Sequence, residues 1–89
     1  MKKDFKSEAM LLSEYTAILA WLRDTVKSDA GGQIPIGTVY TDTANIAANF
    51  NDGDLVGTAL SIPIKYKASL ATGAREFIDS KGTTVSTYP

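Results

Sequence analysis

"SLATGAREFIDSKG", Ser69 to Gly82, is the stretch whose reading decides the fold. Two secondary structures compete for it. As a helix, Ser69 caps it, Leu70, Ala74, Phe77 and Ile78 form an apolar stripe, and Gly82 sits past the end. As strands, "REFID" and "TTVSTY" flank a turn at "SKG". Gly73 counts against the helix, because glycine there costs about 1 kcal/mol relative to alanine. The helical stripe is the stronger pattern and is the favoured reading. The tail "TTVSTYP" then forms a last strand or an extended arm.

Working back towards the N-terminus, the composition from Ile34 onward is that of strands and turns, rich in Thr, Gly, Ile, Val and Tyr. "IPIGTVYT" (34–41) alternates like a strand, with Pro35 suited to a strand start or an edge. "LVGTALSIPIKYK" (55–67) reads as one or two strands, in which Gly57 permits a bulge and Pro63 points to an edge. Ile-Pro-Ile occurs at Ile34–Ile36 and again at Ile62–Ile64, but the flanking residues do not match, so no repeat is assigned. Between the strands, Asp42 or Thr43 could cap one helical turn through Ala48, with Ile46 and Phe50 packing together.

Before Gly31-Gly32 the pattern is different. "SEAMLLSEYTAILAWLRDTVK", Ser7 to Lys27, has no Gly or Pro and reads as one amphipathic helix. Phe5, Leu12, Tyr15, Leu19, Leu22 and Val26 mark a core-facing stripe, widened by Leu11 and Ile18. Met10, Ala17 and Trp21 fall close to the opposite side. Trp21 either folds down over its own domain or, with Met10 and Ala17, anchors a partner, since tryptophan is enriched at binding hot spots. The expected fold class is therefore α+β. An N-terminal helical segment (1–28) leads into a small, mostly antiparallel β module (34–89), with a second short helix near the C-terminus if 69–82 takes its helical reading, all in one domain (1–89).

Composition bounds the chemistry. The 89 residues contain no Cys and no His, which removes disulfides, thiolate ligands, the commonest metal ligand and the commonest general base. A chain this short buries a marginal core, and association is one way to add to it. The formal net charge of −1 argues against a nucleic-acid surface. No apolar run approaches a membrane span, and the N-terminal lysines are interrupted by Asp4 and Glu8, so neither a membrane segment nor a signal peptide is read.

The polar cluster "NFNDGDLVG", Asn49 to Gly57, is the sequence's best imitation of a site. With Gly53 aligned as the sixth residue of a calcium loop, Ala48, Phe50 and Ala59 fall where ligands are needed. A phosphate loop should open a helix, whereas this one carries acids and opens into Leu55-Val56. Asp52-Gly53 fits a turn, with Asn51 and Asp54 bonding its backbone. Ser69 with Lys65 or Lys67 is the remaining nucleophile pair, and the carboxylates Glu14, Asp24, Asp42 and Glu76 read as helix or turn surface residues. Arg75 and Glu76 belong on the exposed side of the second helix. The sequence thus points away from an enzyme, and no cofactor or metal is expected. It points to a structural or interaction protein that works with itself or with a protein partner, as a virion or other assembly component does. A small peptide- or ligand-binding module using a sheet edge is the alternative.

Overall fold

The computed structural model describes residues 10–42, 50–71 and 73–88. The readings that rest on Phe5, on a helix start at Ser7 and on a helical turn from Thr43 to Ala48 lie outside them.

The helix begins later than its apolar pattern suggests. Met10 is not helical and Leu11 is extended (φ −71°, ψ 144°), so α1 spans Leu12–Trp21. It continues without a break through a π-helical turn, Leu22–Val26, into a last α-helical turn, α2 (Lys27–Asp29). The Gly31 N–H donates to Ser28 O (3.1 Å) and the Gly32 N–H to Lys27 O (2.8 Å), and Gly31 has φ +90°. That pair of bonds is a Schellman termination, which requires a left-handed residue and selects glycine.

Five strands follow: β1 (Gly37–Thr41), β2 (Leu55–Ala59), β3 (Ile62–Tyr66), β4 (Arg75–Asp79) and β5 (Thr84–Tyr88). They form one mixed sheet in the order β2-β3-β1-β4-β5. The β1–β3 pairing is parallel, and the β1–β4, β2–β3 and β4–β5 pairings are antiparallel. The fold is α+β.

The favoured helix over 69–82 is corrected and the alternative strand reading holds, because this stretch supplies β4 and the turn of the β4–β5 hairpin. Arg75 to Asp79 pair in full with β1, from Thr41↔Arg75 to Gly37↔Asp79, and this long-range ladder outweighs the local helical stripe. Gly73 has φ +81°, which a helix interior cannot hold. Asp79 fixes the hairpin turn through Oδ1, which accepts the Lys81 and Thr83 N–H groups, each at 2.9 Å.

Pro63 also departs from expectation. Its strand, β3, lies inside the sheet and not at an edge. Proline is tolerated because the β1–β3 ladder starts one residue later, at Val39↔Ile64. On the other side, Thr58↔Pro63 follows the closing hairpin pair Ala59↔Ile62, and by antiparallel alternation such a pair needs no amide bond. Both edge strands carry bulges. Val56 is the extra residue in β2, beside Gly57, and Val85 is the extra residue in β5. Bulged edges resist adding a further strand.

The helix covers one face of the sheet, touching β2 through α1 and β5 through the π turn. Tyr15, Ile18, Trp21, Leu22 and Val26 are buried there against Val39, Val56, Ile64 and Phe77. The core stripe is therefore turned towards Ile18 and Trp21 relative to the sequence expectation. Leu12 is 61% exposed, Leu11 is also exposed, and Leu19 is only partly buried. Gly37 is obligatory for packing, since a Cβ there would lie 2.5 Å from Ile78 O and 2.8 Å from the Phe77 ring.

Ile18→Ala should cost about 2–5 kcal/mol, the range for a buried aliphatic side chain, whereas Leu12→Ala should stay within about 0.5 kcal/mol. Urea unfolding of both variants checks the facing of the helix. Gly37→Ala should destabilise by about 1–3 kcal/mol through overpacking, read from the same titration.

Candidate functional site: an apolar, basic end of the sheet

The two Ile-Pro-Ile segments meet in space. One leads into β1 and the other opens β3, and the parallel register brings both to the same end of the sheet. Between them lies a cleft of about 290 Å³, walled by Ile34, Pro35 and Ile36 on one side and by Leu60, Ile62 and Pro63 on the other. A second, shallower depression of about 710 Å³ shares Ile34 and Leu60 and extends to Arg23, Lys27 and Gln33. Arg23 and Lys27 are one helical turn apart and both are exposed. Ile36 is 82% exposed and Leu60 42%. The result is an apolar ridge flanked by two cations.

Leu60 is held there at a conformational cost. It and Ser61 form the two-residue turn of the β2–β3 hairpin with φ +54° and +64°. Positive φ at both central residues is the geometry that Asn-Gly ordinarily fills, because branched side chains clash there. Stability alone does not select Leu-Ser. A strained residue with an exposed apolar side chain beside an apolar cleft is a mark of use.

The opposite end of the sheet is acidic and braced. Asp54 accepts the Asn51 N–H through Oδ2 (2.9 Å), and Asp52 accepts the Ala68 N–H through Oδ1 (2.7 Å). The Gly53 N–H donates to Tyr66 O (2.8 Å), and Gly53 has φ +89°. Asp42 Oδ1 accepts the Gly73 N–H (2.7 Å). So residues 51–54 of "NFNDGDLVG" form a turn clamped to the end of β3. Among the described residues no group of three or more acids could hold a metal ion. Lys67 is engaged by Glu76 at 3.0 Å and lies 5.6 Å from the centre of the Tyr40 ring.

The residues singled out on the helix sit elsewhere. Met10 is fully buried and Trp21 is 5% exposed, both within the core, while Ala17 is half-buried. The premise that Met10 and Trp21 face away from the core is therefore corrected. The helix starts after Met10, and Trp21 reaches sideways onto the sheet beside Arg75, 5.8 Å from its ring centre to Cζ. Arg75, expected on an exposed helix face, is buried on β4. Comparison with protein-family models, curated proteins and solved structures gives no match. Among the described residues, no helix is long and apolar enough to cross a membrane.

Sequence reasoning noticed both Ile-Pro-Ile segments but had no means of joining them. Nothing in "ALSIP" signalled a tight turn, since it lacks the glycine or asparagine that such turns carry. Replacing Leu60-Ser61 by Asn-Gly should relieve the strain and stabilise the protein by roughly 1–2 kcal/mol. A melting temperature that falls instead would show that the Leu60 side chain contributes more to the fold than its exposure implies.

Proposed function

We propose that the protein is a non-enzymatic structural component that assembles head to tail with copies of itself. The observation that carries this reading is the exposed Leu60, held in left-handed backbone beside Ile36. The two ends of the sheet suggest the occupant. Arg23 and Lys27 flank the apolar end, while Asp42, Asp52 and Asp54 lie at the other, together with Leu55, which is 43% exposed. A two-fold contact would set the basic end against itself and repel, whereas basic end against acidic end attracts. Head-to-tail contacts of this kind build rings or filaments, which suits a virion or other shell component. The small net charge of −1 offers little resistance to association.

A second reading, a monomeric module that takes an extended peptide on a sheet edge, has one observation in its favour. The edge strand β5 has no charged residue and no proline between Thr84 and Tyr88. Its bulge at Val85 counts against it.

Sedimentation velocity over roughly a hundredfold concentration range separates the two, because association follows mass action. The expected result is a mass that grows with concentration and falls as salt is raised. Ile36→Ser, and the pair Arg23→Glu with Lys27→Glu, should each return the protein to monomer, with the melting temperature that the wild type shows at its lowest concentration. A wild-type protein that stays monomeric throughout overturns the assembly reading.

A further inference from the structure

Arg75 opens β4 on the face that the helix covers, and it is 7% exposed. A guanidinium cannot shed its charge in a protein. Its Cζ lies 4.2 Å from the centre of the Tyr88 ring and 5.8 Å from that of Trp21. Aromatic rings satisfy the flat faces of a guanidinium, but not the N–H donors at its edge. Arg75 Nε is buried with no hydrogen-bond partner, and so is Nε1 of Trp21. Two orphaned donors, one of them cationic, thus belong to neighbouring side chains. Buried donors are almost always paired, and a buried charge is strongly unfavourable without a counterion.

Nearby acids do not fill this role. Glu76 follows Arg75 in β4, so its side chain takes the opposite face of the sheet, where it pairs with Lys67. Asp42 Oδ1 is bonded to the Gly73 amide. Among the described residues, no carboxylate comes within ion-pair distance of Arg75, the ion pair there being Lys67–Glu76.

We propose that Arg75 and Trp21 form a binding site for a carboxylate group. One guanidinium carries a single charge and a planar fork of donors, which matches a monoanionic, planar carboxylate better than a phosphate dianion. The indole N–H of Trp21, on the neighbouring side chain, is also without a partner. Tyr88, stacked on the guanidinium, stands near the end of the edge strand and is 46% exposed. Tyr88 thus covers one face of the guanidinium from the solvent side. The site lies at the end of the sheet opposite the apolar cleft.

Trp21 is the chain's single tryptophan, so all of the indole emission comes from beside this site. Sodium acetate would replace sodium chloride at constant ionic strength while Trp21 emission and melting temperature are followed. Both should change saturably, and acetamide, the uncharged analogue, should change neither. Arg75→Gln should lose the saturable response. N-acetylglycine, which carries a peptide-like carboxylate, distinguishes the sources: tighter binding than acetate assigns the site to a chain terminus, and equal binding to a free small carboxylate. A response that rises without saturating, that acetamide reproduces, or that sulfate exceeds would overturn the proposal. Should Arg75→Gln fail to fold, the acetate and acetamide titrations of the wild type still decide it.

Discussion

One helix can cover only one face of a five-stranded sheet, and the rest of this molecule follows from that constraint. Ile18, Leu22 and Val26 come down on Val39, Ile64 and Phe77, all of them fully buried. Each such side chain contributes roughly 1.5–3 kcal/mol on leaving water, and in a domain this small few of them can be spared. The other face is left to half-buried residues of mixed character: Thr38, Tyr40, Lys65, Glu76 and Ile78. The edges are managed separately. Both edge strands are bulged, and the Tyr15 hydroxyl donates to Thr58 O (3.2 Å), tying the helix to the backbone of β2. At the far side the Ser86 hydroxyl donates to Asp29 at 2.6 Å, so the helix is anchored over both edges.

How much of this was legible in the sequence depends on how local its cause is. The helix, its glycine stop, the bulge at Gly57 and the polar turn at Asp52-Gly53 all have causes within a few residues, and all could be read. The facing of the helix could not. Leu12, Leu19 and Ile18 are equally apolar in sequence, and only docking onto the sheet distinguishes them. The hairpin over 75–88 was visible only as the second of two readings, for the same reason. Its local pattern suits a helix, and its register comes from β1, more than thirty residues away. Arg75 followed that error, because a charged residue on an exposed helix face and one on a buried strand look alike in sequence.

The candidate site was less legible still, because it consists of juxtaposition. Ile34–Ile36 and Ile62–Ile64 share an end of the sheet only because β1 and β3 are parallel, and parallel strands need a long connection between them. That same topology separates the charges. β3 runs from the Leu60-Ser61 turn to Tyr66, whose backbone is bonded to the Asp52–Asp54 turn. The apolar, basic end and the acidic end are therefore the two ends of one hairpin, held apart by a rigid sheet.

The π-helical turn ties the core to the buried arginine. Adjacent residues on an α-helix stand about 100° apart, so Trp21 and Leu22 cannot both point at the centre of the sheet. Leu22 takes the centre and Trp21 extends along the flank to Arg75. Immediately afterwards the helix widens, and the Lys27 N–H donates to Leu22 O, five residues back. The widening falls beside the residues that leave two buried donors unsatisfied. π-turns recur at functional sites because a helix gives up its regular bonding only where something else is gained. Here the regular ladder is broken one residue after Trp21, beside the buried Nε of Arg75. The π-turn and the two unpartnered donors thus fall in one place, and that coincidence adds to the ground for the proposed ligand.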